Sequence, residues 1–516
     1  PSRIIERQVA FRIRVKFTDA MYEILHRLPL RWHHDHHSGE TINRLNKAGR
    51  GMYDYMQSQF IFIGSAVNFI GPIAMVAILA PGVGWILAAG GAATLVVIYA
   101  FDKKLVQLYD EENRREHHFS SALFDYVSNM ITVLSLRLGR RTRTELNHRL
   151  ERMIPVIRTS IWVNEAKWFC LMMGIMVLEI AVVMLYVVGT LKQNNAVMLG
   201  TAVALFQYVR SMSQTFINFA LDYERVIRAR TDFCSVLHII EAGEKVVETP
   251  EFNLPKEWKE LALHDIRFSY EQDGIRHHLD GVSFRFRRGE KIALVGESGS
   301  GKSTLLGLLR GLYDCPAARL EVDGAFQPEG LQLLKGSTTL IPQDSEIFEN
   351  TIRYNITVGM EHEEQEISTA ARMACFAPVI ERLEGGLESD IREKGVNLSG
   401  GEKQRLALAR GLFAVKDAEI ILMDEPTSSV DAGNEWKIYR QVLAEFSHAT
   451  VISSLHRLYL LELFDTILVM DKGKLVEAGS LSELLAKEGH FYRLWQKNRI
   501  ASASRATAPS SGIELL

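Results

Sequence analysis

Gly296-Glu297-Ser298-Gly299-Ser300-Gly301-Lys302-Ser303-Thr304 satisfies the phosphate-loop pattern G-x-x-x-x-G-K-[ST] without a mismatch. The residues before it, Lys291-Ile292-Ala293-Leu294-Val295, read as a short buried strand, and Leu305-Leu306-Gly307-Leu308-Leu309 after it read as the start of a helix. Strand, glycine loop and helix together form an anion cradle. Glycines let the backbone wrap tightly, so that N–H groups and the positive end of the helix dipole meet phosphate oxygens. Lys302 would add a full charge at the β- and γ-phosphates, and the Ser303 hydroxyl would ligate Mg²⁺.

Beyond this loop the chain divides. Its 516 residues exceed one ordinary domain. Long apolar runs lie before about residue 240, and a soluble α/β pattern follows about residue 250. A polar stretch with Pro250 and Pro255 marks the boundary, giving expected domains at 1–241 and 257–498, a linker at 242–256 and a disordered Ala/Ser-rich tail at 499–516. A formal net charge of −3 offers no electrostatic argument for nucleic acid. Cys170, Cys234, Cys315 and Cys375 are far apart and read as buried small hydrophobes in a reducing compartment.

In the first half, residues 3–58 read as charged helix with a break near Pro29 and a turn near Gly39. Phe60–Ala80 is roughly one bilayer span; Pro81-Gly82-Val83-Gly84 reads as a tight turn, and Trp85–Phe101 as a second span. Ala166–Gly189 and Ala196–Ala220 read as a third and a fourth. Buried helices of a soluble protein would account for any one run, but not for four arranged as two hairpins. The connection from Asp102 to Asn164 is rich in Lys and Arg, which puts it and the C-terminal half on the cytoplasmic side. Glu179 and Arg210 fall near the middle of their spans, where each would cost roughly 2.5–3.5 kcal/mol facing lipid. A partial ion pair between them, or a place on a substrate path, is expected. Trp32-His33-His34-Asp35-His36-His37 reads as adjacent histidines in a loop, which lack the helical i, i+4 geometry of a preformed metal site, and so as a solvated interfacial turn.

In the second half, Asp265–Tyr270 is strand-like, Gln343 follows another apolar stretch, and Leu398-Ser399-Gly400-Gly401-Glu402 opens a helical pattern. Glu419-Ile420-Ile421-Leu422-Met423 leads into Asp424-Glu425-Pro426, with Ser428-Ser429-Val430-Asp431 at once behind. Val451-Ile452-Ser453-Ser454-Leu455 places His456 just past one more strand. In this order the motifs resemble an ATP-binding cassette (ABC) transporter of the exporter type, with membrane and nucleotide-binding domains fused. The cassette likeness covers about Leu261–Lys497.

The resemblance implies a fold and a set of roles. The fold class would be an α-helical transmembrane domain, with four spans of an expected six, followed by an α/β P-loop NTPase cassette. The missing pair would lie before Pro1. Tyr270 would stack on adenine, and Gly296–Thr304 would hold the phosphates. Gln343 would touch Mg²⁺ and the attacking water, and Asp424 would hold Mg²⁺ through water. Glu425 would be the general base, with His456 at the γ-phosphate and Asp431 coupling two sites. Ser399, Gly400 and Gly401 would meet the nucleotide of a second cassette, so one cassette per chain implies a homodimer or heterodimer of half-transporters. Arg31–Arg50 and Asp125–Leu136 would contain the coupling turns, received by Gln343 and Glu393-Lys394-Gly395-Val396. The cofactors would be ATP and Mg²⁺, the setting membrane lipid at the bacterial inner membrane, and the cargo hydrophobic or amphipathic (lipid, peptide or drug-like). An importer on the same fold, or a soluble ABC ATPase, are the rival classes. Ser429-Val430 and Ser454-Leu455 depart from the commonest family spellings without removing a functional side chain.

Overall fold

The computed structural model describes residues 2–57, 59–192, 197–246, 252–271, 277–344, 346–391, 398–416 and 418–497. It divides into two compact units, Pro1–Glu248 and Thr249–Leu516.

The first unit is helical: α1 Ser2–Arg27, α2 Leu30–Asp35, α3 Ser38–Met56, α4 Gln59–Leu79, α5 Pro81–Ser128, α6 Met130–Ser135, α7 Gly139–Lys192, α8 Leu199–Cys234 and α9 Leu237–Glu244. Prolines set two of the starts. Pro29 is the N-cap of α2, and Pro81 stands at the beginning of α5, where its missing N–H costs nothing. Pro81–Gly84 is therefore the first turn of α5 and not a loop; the chain reverses at Ala80 instead. Gly39 is likewise no turn. It lies inside α3, where an added Cβ would fall 2.8 Å from the ring of Phe124, so the glycine admits close packing against α5. Gly90 does the same for α5 and α7, since a Cβ there would meet Leu178 at 2.5 Å.

At 48 and 54 residues, α5 and α7 extend roughly 70–80 Å, well past a hydrocarbon layer of about 30 Å. Among the described residues these two are long and apolar enough to cross a membrane. The run expected at Phe60–Ala80 forms α4, several of whose side chains lie outside the described residues. The run at Ala196–Ala220 forms α8 from Leu199, where Gln207, Arg210, Gln214 and Asn218 dilute the apolar character. Val76, Leu87, Leu171, Ile175, Leu205, Val209 and Phe216 join all four helices in one apolar core.

The expected Glu179–Arg210 pair does not form among the described residues: Glu179 is half-buried and Arg210 exposed. Among the described residues, Lys167 and Asp102 form a charge pair inside the bundle, 3.1 Å apart and 0% and 2% exposed. Cys170 is exposed rather than buried, and the four cysteines are free. His36 stacks on Trp32 at 4.1 Å and bonds its carbonyl, and no metal-holding cluster of His, Cys, Asp and Glu occurs among the described residues.

The second unit holds two sheets. The smaller runs β2-β1-β4-β5 and is antiparallel: β1 Glu260–Phe268, β2 Leu279–Arg287, β4 Arg319–Val322, β5 Ala325–Gln327. The larger runs β10-β9-β3-β8-β7-β6, with β3 Lys291–Val295, β6 Thr338–Ile341, β7 Ile420–Asp424, β8 Thr450–Ser454, β9 Thr466–Asp471 and β10 Lys474–Gly479. Its inner pairs are parallel, and β10 closes one edge antiparallel. β3, β7 and β8 are buried at every position, as strands covered on both faces must be. The helices are α10 Lys302–Leu309, α11 Ile352–Thr357, α12 Glu364–Met373, α13 Ala377–Arg382, α14 Gly400–Ala414, α15 Ala432–Glu445 and α16 Leu481–Ala486, with a last described helix over 490–497. One core fills the space between the sheets, around Trp258, Phe286, Leu305 and Leu422; the other packs α12, α14 and α15 on the larger sheet. Residues 393–396 and 499–516 lie outside the described residues.

Candidate active site

The phosphate loop joins the C-terminal end of β3 to α10, the place where open α/β sheets bind ligands. Gly296 has φ +155° and Gly301 φ +103°; a Cβ at Gly296 would stand 2.2 Å from the Met470 carbonyl oxygen, and at Gly301 2.7 Å from Leu279. Only glycine meets both demands. Glu297, Ser298 and Gly299 are exposed, Ser303 is exposed and Thr304 buried. Lys302 is 5% exposed and folds back over the loop, its Nζ donating to the carbonyls of Gly296 at 3.0 Å and Glu297 at 3.4 Å. Burial pushes its ammonium pKa down, while Glu425 and Asp424 pull it up.

The other half of the site comes from β7 and β8. Glu425 follows the last residue of β7 in the left-handed region, φ +45°, which costs a non-glycine residue about 1–3 kcal/mol. Its N–H donates to Ser454 Oγ at 2.9 Å, and that hydroxyl donates to Asp424 Oδ1 at 2.7 Å. Both carboxylates are 9% exposed. Glu425 Oε2 stands 3.1 Å from His456 Nε2, and Oε1 3.8 Å from Lys302 Nζ. Lys302, Asp424, Glu425 and His456, spread over 155 positions of sequence, thus converge on one point.

Not every expected site residue joins them. Gln343 stands exposed just past β6. β1 ends at Phe268, two residues earlier than the strand-like stretch suggested, so Tyr270 lies just beyond it; its hydroxyl is 3.2 Å from Thr304 Oγ1 and its ring packs edge-on against Phe268, His278 and Tyr313. Ser399 caps α14 in a reciprocal capping box with Glu402, which presents the helix's N-terminal amides. Among the described residues no hydrogen bond or ion pair joins Ser399, Gly400 or Gly401 to the phosphate loop of the same chain. Instead, Gln404 ties α14 to Ser428 and Ser429, and Asp431 caps α15.

Sequence reading missed several partners. Glu435, 4% exposed, accepts from Thr427 at 2.7 Å, Arg457 at 2.9 Å and the Tyr459 hydroxyl, linking the turn after Glu425 to the segment carrying His456. Lys497 reaches back to Glu297 of the phosphate loop at 2.8 Å. Ser454 carried one signal, its departure from the common spelling.

The residues present suit a nucleotide with Mg²⁺. The donors expected for the ion, Ser303, Gln343 and Asp424, are all hard oxygens, and Mg²⁺ characteristically takes one or two carboxylates beside substrate phosphates. Ser300 Oγ, buried inside the loop, has no partner among the described residues and is available to a phosphate oxygen.

Both halves of the chain have counterparts among known proteins. Residues 3–216 match the ABC transporter transmembrane region, and residues 279–428 match the ABC transporter family. The chain is 34% identical over 316 residues to an ATM1-type heavy metal exporter of Novosphingobium aromaticivorans, covering 60% of this chain and 51% of that one. It is 37% identical over 240 residues to an ATP-dependent lipid A-core flippase of Paraburkholderia xenovorans, covering 45% and 40%. The chain therefore spans about half the length or less of these curated relatives. Its fold superposes on a bacterial Atm1-family ABC exporter with ATP bound, TM-score 0.85 and 25% identity, over 99% of this chain and 87% of that one. A membrane region and a cassette fused in one chain identify it as a member of the ABC transporters, a half-transporter of the exporter type.

Proposed function

We propose that this chain hydrolyses ATP between two paired cassettes and couples that cycle to movement of a hydrophobic or amphipathic substrate across or between leaflets of a bacterial inner membrane. Residues 1–241 serve as the membrane domain and 257–498 as the cytoplasmic nucleotide-binding domain. The observation that carries the reading is the Glu425 carboxylate, set between Lys302 and His456 at the mouth of the phosphate loop.

Phosphoryl transfer needs positioning and charge neutralisation more than covalent chemistry. The loop amides from Gly296 to Thr304 and the Lys302 ammonium cradle the phosphates. Glu425 accepts a proton from the attacking water and orients it, and His456 holds Glu425 and contacts the γ-phosphate. Ser303, Asp424 and Gln343 would hold Mg²⁺, which would supply charge neutralisation at the phosphates. Tyr270 packs the adenine. Ser399, Gly400 and Gly401 present the α14 N-terminus to the γ-phosphate on the partner, and Asp431 relays between the two sites, so the pair closes only over nucleotide. The capped α14, without a hydrogen bond or ion pair from Ser399, Gly400 or Gly401 to the phosphate loop among the described residues, supports this division of labour.

The cargo class rests on the exporter likeness, whose relatives carry names as different as heavy metal exporter and lipid A-core flippase. Full-length protein in nanodiscs should hydrolyse MgATP, and a panel of amphipaths should contain one that accelerates it. Transport in sealed inside-out vesicles then gives the direction. ATP bound with no turnover under any panel member would overturn the proposal.

A further inference from the structure

Ser454 is the last residue of β8, and the parallel register sets it opposite Asp424 on β7 and opposite Leu294 on β3. Residues paired in register point to the same face of a sheet about 4.8 Å apart, so a short side chain at 454 reaches the end of β7 directly. Ser454 is 0% exposed, and its hydroxyl is used in both directions: it accepts the N–H of Glu425 and donates to Asp424 Oδ1. The chain then continues through Leu455, whose N–H donates to Leu294 O, to His456 against Glu425. One hydroxyl thus fastens the aspartate and the left-handed backbone of the glutamate to the strand that delivers the histidine.

We propose that Ser454 is a positioning residue for ATP hydrolysis, orienting Asp424 toward Mg²⁺ and holding the Glu425 backbone in the conformation that aims its carboxylate. The inference rests on the ATPase reading above. Donation to one carboxylate oxygen fixes the plane of Asp424 and leaves the second oxygen for the ion that Asp424 would hold. Acceptance from the Glu425 N–H supplies a partner that the sheet does not, because β7 ends at Asp424. Partners of this outer kind typically change metal affinity or activity about 10- to 100-fold when removed.

The test compares Ser454→Val with Ser454→Thr, which share a shape and differ in the hydroxyl, beside Ser454→Ala. Two readouts are taken on the full-length protein: the affinity of a fluorescent ATP analogue in Mg²⁺ relative to EDTA, and kcat against KM for ATP. Val and Ala should each lose about 10-fold of the Mg²⁺-dependent gain in affinity and about 10-fold in kcat, with affinity in EDTA within about twofold. Thr should keep both within about threefold. Val and Thr behaving alike, whether intact or equally impaired, would overturn the proposal, as would an unaffected Ala variant. Failure of the underlying reading looks different: wild type would then lack ATPase, or Glu425→Gln would turn over normally, while the Mg²⁺-to-EDTA ratio still reports on Asp424.

Discussion

The Glu425 carboxylate and the His456 imidazole meet at 3.1 Å although β7 and β8 carry them from opposite sides of α15 in the sequence. The histidine is 56% exposed and the carboxylate 9%, so the pair has one face toward solvent, where a nucleotide would enter, and one anchored in the sheet.

Replacing Glu425 with Gln preserves shape and removes the proton acceptor. ATP binding should survive, hydrolysis should fall about 100-fold or more, and nucleotide-bound dimer should accumulate. Size-exclusion chromatography after incubation with MgATP checks the dimer, and normal turnover would count against the assigned base.

Lys302→Ala removes the ammonium that lies over the loop. A charge-assisted contact to phosphate of this kind is worth roughly 1.5–3 kcal/mol, so ATP affinity should drop about tenfold or more. Titration with a fluorescent nucleotide measures it, and an unchanged dissociation constant would refute the role.

Glu435→Ala takes one buried acceptor from Thr427, Arg457 and Tyr459 together. Arg457 is 36% exposed, and solvent screens its share; the loss should be about 2–3 kcal/mol, with hydrolysis impaired through a loosened His456 segment. Thermal melting beside ATPase assays separates the two effects.

In the membrane bundle, Lys167→Ala leaves the Asp102 carboxylate without its ammonium partner and should cost about 3–5 kcal/mol. Replacing both residues by apolar ones of similar volume should be milder than either single change. Melting temperatures in detergent decide this; a double variant worse than both singles would contradict it.

Acid should weaken the nucleotide-binding unit. Backbone amides of Glu260 and Lys259 hold the Asp323 carboxyl below its ordinary range, and the Asn434 amide does the same for Asp431. A carboxyl with a depressed folded pKa contributes stability that is complete above the unfolded value of about 3.9 and lost as pH falls through the folded one. Asp323→Asn should therefore melt earlier than wild type at pH 7 yet lose less between pH 4 and pH 2.

The local parts of this protein were legible in its residues because their causes are local. The glycines at 296 and 301, the proline break at 29, and the helix opened at Leu398–Glu402 each follow from backbone sterics or from hydrogen bonds a few positions long. Long apolar runs likewise announced helices before any packing was known. Gly39 and Pro81–Gly84 misled for the converse reason: the same residue types serve turns, close helix contacts and helix starts, and only a neighbour such as Phe124 distinguishes them.

What the sequence by itself determined was the order of motifs and the identity of the fold class, since each motif carries its own stereochemistry within a short stretch. The tertiary structure alone decided which side chains touch. Parallel pairing of β7 with β8 brings Ser454 to Asp424, and the packing of α5 with α7 couples Asp102 to Lys167 instead of Glu179 to Arg210. Register and helix rotation arise from burying many apolar residues at once, and no single stretch contains that sum.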